Sequence, residues 1–117
     1  MNTTTPETPA PDRYGALALQ FTTACVNDCR DRDAARQRMG ENLARVGASV
    51  AASKGFIRQY SGIETKLVVL PEYFLTGFPL GESVPVWRDK AALSIDGPEY
   101  AALAEIAAKS DVYLAGN

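Results

Sequence analysis

Three short apolar runs, separated by helical patterns, decide what this chain can form. They are Ala16-Leu17-Ala18-Leu19-Gln20-Phe21, Lys66-Leu67-Val68-Val69-Leu70 and Val112-Tyr113-Leu114-Ala115. Their nearly continuous apolar character suits strands covered on both faces. Between the first two, Met39, Leu43, Val46 and Val50 recur at spacings of four, three and four, which lays one apolar stripe along a helix. Asp31 or Asp33 can cap its start, and Arg36, Gln37, Glu41 and Arg45 fall on the opposite face. A second stripe, Tyr100, Leu103, Ile106 and Ala107, follows Asp96-Gly97-Pro98-Glu99. There Asp96 offers a cap and Pro98 fills the first turn. The order is β-α-β-loop-α-β, which predicts an α/β fold with parallel strands and right-handed crossovers.

The remaining segments are less patterned. Residues 1–12 hold three prolines, four threonines and almost nothing to bury, so a disordered tail is expected before an ordered region over 13–117. This tail lacks the basic and apolar regions of a secretory signal, and a cytoplasmic location is expected by default. From Ser53 to Lys66 the helical stripe loosens, and Glu72 to Trp87, rich in aromatics, Gly and Pro, reads as a long ordered loop. No run of about eighteen apolar residues exists to span a membrane. A net charge of −2 offers no broad field for nucleic acid or anionic lipid. The chain has no histidine, so Ser-His triads, Cys-His dyads and His-ligated metals are excluded within it. No cofactor or metal is expected.

Chemistry concentrates in Leu67-Val68-Val69-Leu70-Pro71-Glu72-Tyr73-Phe74-Leu75-Thr76-Gly77-Phe78-Pro79. Open α/β sheets bind ligands beyond the carboxyl ends of their strands, and Glu72 falls directly after one. Aromatic and apolar neighbours would strip water from its carboxylate, favour the neutral form and make it a better base. The plainer reading of Glu72 is a loop cap or the partner of an arginine.

The same residues resemble the first signature of the nitrilase superfamily, the carbon-nitrogen hydrolases, in Leu70-Pro71-Glu72-Tyr73-Phe74-Leu75-Thr76-Gly77. Ala16 to Gln20 resembles that family's opening strand, Glu41-Asn42-Leu43 its first helix with the usual asparagine, and Val112 to Asn117 a following strand. The likeness covers nearly everything after the tail. It implies an α-β-β-α sandwich, of which this chain is the incomplete N-terminal portion, and a Glu-Lys-Cys thiol mechanism on a small-molecule amide or nitrile. In that mechanism Glu72 is the general base and Tyr73 lines the substrate pocket. The lysine and cysteine would lie beyond Asn117. Lys54, Lys66, Lys90 and Lys109 precede the right place, and Cys25 and Cys29 lie far upstream. The chain alone is therefore expected to be inactive, and its full-length parent to form a homo-oligomer.

Other features have plainer readings. Cys25 and Cys29, spaced C-x₃-C with no further soft ligands, read as two free thiols. Arg30, Arg32, Arg36, Arg38 and Arg45 interleave with acidic residues and read as a solvated helix face. Tyr73, Phe74, Phe78 and Trp87 lack the basic surround of a nucleic-acid platform, which leaves pocket lining or subunit packing. Glu82 has no placement from sequence. A non-catalytic α/β interaction module is the alternative function. A flavodoxin-like domain is weaker, since Thr22-Thr23-Ala24 only faintly resembles a phosphate loop.

Overall fold

The computed structural model describes residues 12–117, so all of the expected tail except Asp12 lies outside the described residues. Six elements follow in order: β1 (Gly15–Ala18), α1 (Arg32–Ser61), β2 (Thr65–Val69), α2 (Val84–Ala91), α3 (Pro98–Ser110) and β3 (Tyr113–Ala115). The strands form a parallel sheet in the order β1-β2-β3, as the alternation requires. All three carboxyl ends therefore lie along one edge of the sheet.

Register explains which side chains are buried. Leu17 pairs with Val68, and Val68 with Leu114, so these three share one face. Against that face α1 brings Met39, Leu43, Val46 and Val50, all buried, and α3 brings Leu103 and Ile106. Each such aliphatic side chain contributes about 1.5–3 kcal/mol on full burial. The helices meet closely at Gly47, where an added Cβ would lie 3.4 Å from Ile106.

The opposite face carries the rows Ala16–Leu67–Tyr113 and Ala18–Val69–Ala115. Val69 is 44% and Tyr113 79% exposed. The expected cover on both faces is thus absent among the described residues, because α1 and α3 pack their apolar residues against the other face.

α1 starts where Asp31 caps it, its carboxylate accepting from the Ala34 N–H at 2.9 Å. Asp31→Ala should cost about 1 kcal/mol. The check is a lower urea midpoint at unchanged slope. The helix then runs on to Ser61, past the point where its apolar stripe loosens. Its last turns leave Phe56 and Tyr60 exposed, and polar ties hold them instead. Lys54 donates to the Ser110 carbonyl at 2.6 Å, and Arg58 pairs with Glu64 at 3.0 Å. Gly62 ends the helix in the left-handed region, φ 69°, its N–H bonded to the Arg58 carbonyl.

The expected loop over Glu72 to Trp87 is interrupted at its end by α2, which has Pro85 in its first turn. This helix buries no residue fully, so it carries no stripe for periodicity to detect. The N-cap of α3 is Gly97 rather than Asp96, and Tyr100 is 46% exposed while Glu99 is buried. Glu99 pairs with Arg36 at 3.4 Å, and Arg36 also donates to the Ala92 carbonyl at 2.7 Å. Arg38 bonds Asp28 and the Cys25 carbonyl, and Arg32 bonds Asp89. The basic face of α1 is therefore largely a set of staples to neighbouring segments rather than a merely solvated surface. Among the described residues no helix is long and apolar enough to cross a membrane.

Candidate active site

The carboxyl edge of the sheet gathers three segments: the loop after β1, the turn after β2 and the residues after β3. Backbone bonds lace them together. Leu70 N–H donates to the Ala115 carbonyl at 2.8 Å, Tyr73 N–H to the Asn117 carbonyl at 3.0 Å, and Val26 N–H to the Thr76 carbonyl at 2.9 Å. The turn itself closes through the Gly77 N–H on the Tyr73 carbonyl at 2.9 Å.

Side chains sort sharply along this turn. Leu70, Phe74 and Leu75 are 5–6% exposed and anchor it in the core. Gly77 is buried with φ 74°, and a Cβ there would come within 2.5 Å of the Cys25 sulfur. Tyr73 also adopts a left-handed backbone, φ 54°, which is uncommon outside glycine and clusters at functional sites. Its ring rests on Phe78 with centroids 4.4 Å apart.

Glu72 stands at the outer corner of the turn and is exposed. The desolvation expected from its aromatic neighbours is not met among the described residues. Phe74 and Leu75 turn inward and the Tyr73 ring stacks on Phe78, so none of these covers the carboxylate. Nor, among the described residues, does Glu72 cap the loop or pair with an arginine. Among the described residues its carboxylate joins no ion pair. Backbone geometry alone aims it.

Beside the turn lies a cavity of about 920 Å³, lined by Tyr73, Phe74, Trp87 and Leu103, with Glu82 and Arg88 among its polar groups. Tyr73 reaches this space and Glu72 does not line it.

Glu82, which sequence could not place, binds back on its own loop. It accepts from the Leu80 N–H at 2.6 Å and the Asn27 amide at 2.9 Å. Its own backbone N–H, then those two donors, hold its carboxyl below the ordinary value of 4.5, with the Lys90 charge adding to them and burial opposing. A depressed carboxyl contributes stability above its unfolded value and loses it as pH falls through the folded one. The unfolding midpoints of wild type and Glu82→Gln should therefore converge below pH 4.5. Parallel midpoints on acidification would exclude this role.

Asn42 is the residue whose part was least visible beforehand. It lies on the buried stripe of α1, fully inaccessible, with every polar valence of its amide engaged by the segments at this edge and by Arg45. A polar residue one turn from Met39 on an apolar face was the available signal. Cys25 is exposed and Cys29 buried, and both are free thiols. Among the described residues no three His, Cys, Asp or Glu side chains group as a metal site.

The family model described as carbon-nitrogen hydrolase matches residues 20–117. The chain belongs to the carbon-nitrogen hydrolase family. No curated protein and no solved structure matches it. As a carbon-nitrogen hydrolase it comes from a family that acts on small molecules, and the matched stretch holds the whole turn with Glu72 and Tyr73. The parallel three-stranded sheet with its flanking helices is consistent with part of a nitrilase-like α/β fold.

Proposed function

We propose that this chain carries the general base of a carbon-nitrogen hydrolase that cleaves amides or nitriles through a cysteine thiol. The observation that carries this reading is Glu72, which joins no ion pair among the described residues and stands on a backbone-bonded turn at the carboxyl end of the central strand within the family-matched region. An unpaired carboxylate is free to accept a proton, whereas one locked to an arginine is not.

In this reading Glu72 takes the thiol proton as sulfur attacks the carbonyl carbon of an amide. A lysine stabilises the oxyanion of the tetrahedral intermediate. Collapse breaks the C–N bond, and the proton held by Glu72 leaves on the departing ammonia. Glu72 then takes a proton from water as its oxygen attacks the thioester, and returns that proton to the departing sulfur as the C–S bond breaks, which releases the acid and restores the thiol. Tyr73, beside Glu72 on the turn, contacts the substrate.

The lysine and the cysteine are proposed to come from sequence following Asn117, and the 117-residue chain alone is proposed to be inactive. The uncovered sheet face, with Ala18, Val69 and Tyr113, fits the inner surface of an α-β-β-α sandwich awaiting its second sheet.

The test is ammonia release by the full-length protein over a panel of amides and nitriles. Release that is lost on substituting a downstream cysteine supports the reading. A full-length protein without downstream lysine and cysteine, or one whose ammonia release survives loss of every cysteine, contradicts it.

A further inference from the structure

Helix packing alone would place a hydrocarbon where α1 carries Asn42, between the buried Met39, Leu43 and Val46. Instead its amide binds two separate loops. Nδ2 donates to the carbonyls of Ala24 and Leu75, both at 2.9 Å, and Oδ1 accepts from the Ala24 N–H at 3.1 Å and from Arg45. Grasping both the N–H and the carbonyl of Ala24 fixes that residue's orientation as well as its position. The third bond reaches 33 residues along the chain into the turn that carries Glu72.

We propose that Asn42 is a positioning residue for Glu72, setting the turn in register against α1 and the loop after β1. The proposal rests on the reading of Glu72 as the base. That carboxylate joins no ion pair among the described residues, so its aim depends on the backbone of the turn. The turn is tied at Tyr73 to Asn117, at Thr76 to Val26, and at Leu75 to Asn42. Of these ties, the one from Asn42 is the one that reaches the rigid helix. Arg45, one turn further on, holds the Oδ1 side and thereby keeps Nδ2 facing the two carbonyls.

Asn42→Asp keeps the shape but turns an oxygen toward the carbonyls of Ala24 and Leu75, replacing two donations by repulsion. In the full-length protein kcat is expected to fall roughly 10- to 100-fold, with KM little changed, as for a misplaced reacting group. Val50→Ala, on the same buried stripe but without a bond to the turn, is expected to lower the unfolding midpoint and leave kcat at 25 °C near wild type. Asn42→Ser leaves room for a water and serves where Asn42→Asp does not fold, with the same kcat loss expected. A folded Asn42 variant with wild-type kcat, beside an inactive Glu72→Gln, overturns the positioning role alone. If Glu72→Gln itself turns over at the wild-type rate, the base assignment fails and the positioning role fails with it. Amide hydrogen exchange adds a readout independent of turnover. Protection of the Val26 N–H, which bonds the Thr76 carbonyl across from loop to turn, should fall selectively in Asn42→Asp and persist in Val50→Ala; equal loss in both overturns the proposal.

Discussion

Glu72→Gln in the full-length protein is expected to lower kcat by roughly 10²- to 10⁴-fold while unfolding stays within about 0.5 kcal/mol of wild type. The two halves of this expectation have separate physical grounds. An amide is nearly isosteric with the carboxylate but cannot accept the thiol proton, so both proton transfers of the proposed mechanism would lose their base. Stability is insulated because Glu72 is exposed and joins no ion pair among the described residues. The turn is held by its backbone and by Phe74 and Leu75 beneath it, and none of those contacts involves the 72 side chain. Steady-state kinetics and urea unfolding on the same preparation check the pair. A large loss of stability with the kinetic loss would mean that the carboxylate holds the fold.

The opposite pattern is expected at Gly77. Here φ is +74°, and an added Cβ would sit 2.5 Å from the sulfur and 2.8 Å from the Cβ of Cys25. Cys25 has little room to withdraw. Its neighbour Ala24 is gripped by Asn42, its other neighbour Val26 bonds Thr76, and its own carbonyl accepts from Arg38. Gly77→Ala should therefore combine left-handed strain with overpacking, at about 2–4 kcal/mol in total. Gly55→Ala is the control. That glycine is helical, nothing lies within 4 Å of its added Cβ, and the change should stabilise by about 0.5–1 kcal/mol. Urea midpoints of the two variants should move in opposite directions. A harmless Gly77→Ala would mean that the loop and the turn are not locked together.

What the sequence made legible follows from which forces leave a periodic trace. The α1 stripe and the three apolar runs are products of burial against one sheet, and burial repeats at 3.6 or 2 residues. Asp31 was readable as a cap because a carboxylate before a helix has one dominant use. The overhang of α1 to Ser61 was not readable. Backbone bonding and single polar ties from Lys54 and Arg58 hold it, and neither repeats. α2 was hidden for the same reason, having no fully buried residue. At the proposed site, Glu72 and Tyr73 stand out because a carboxylate and an aromatic directly follow a strand. Their surroundings were not, since exposure of Glu72 depends on whether Phe74 and Leu75 turn inward, which is decided in three dimensions. Glu82 and Asn42 act through bonds spanning 55 and 33 residues, and no local pattern encodes such distances.

Intact-mass spectrometry of the full-length protein, quenched during turnover of an amide substrate, tests the role of Glu72 most directly. The thiol route passes through a thioester, and forming it requires a base to take the sulfur's proton. The expected result is an acyl adduct on the wild-type protein, on a cysteine downstream of Asn117, and no adduct on Glu72→Gln over the same interval. An adduct accumulating at the same rate on both proteins would contradict Glu72 as the base that activates the thiol.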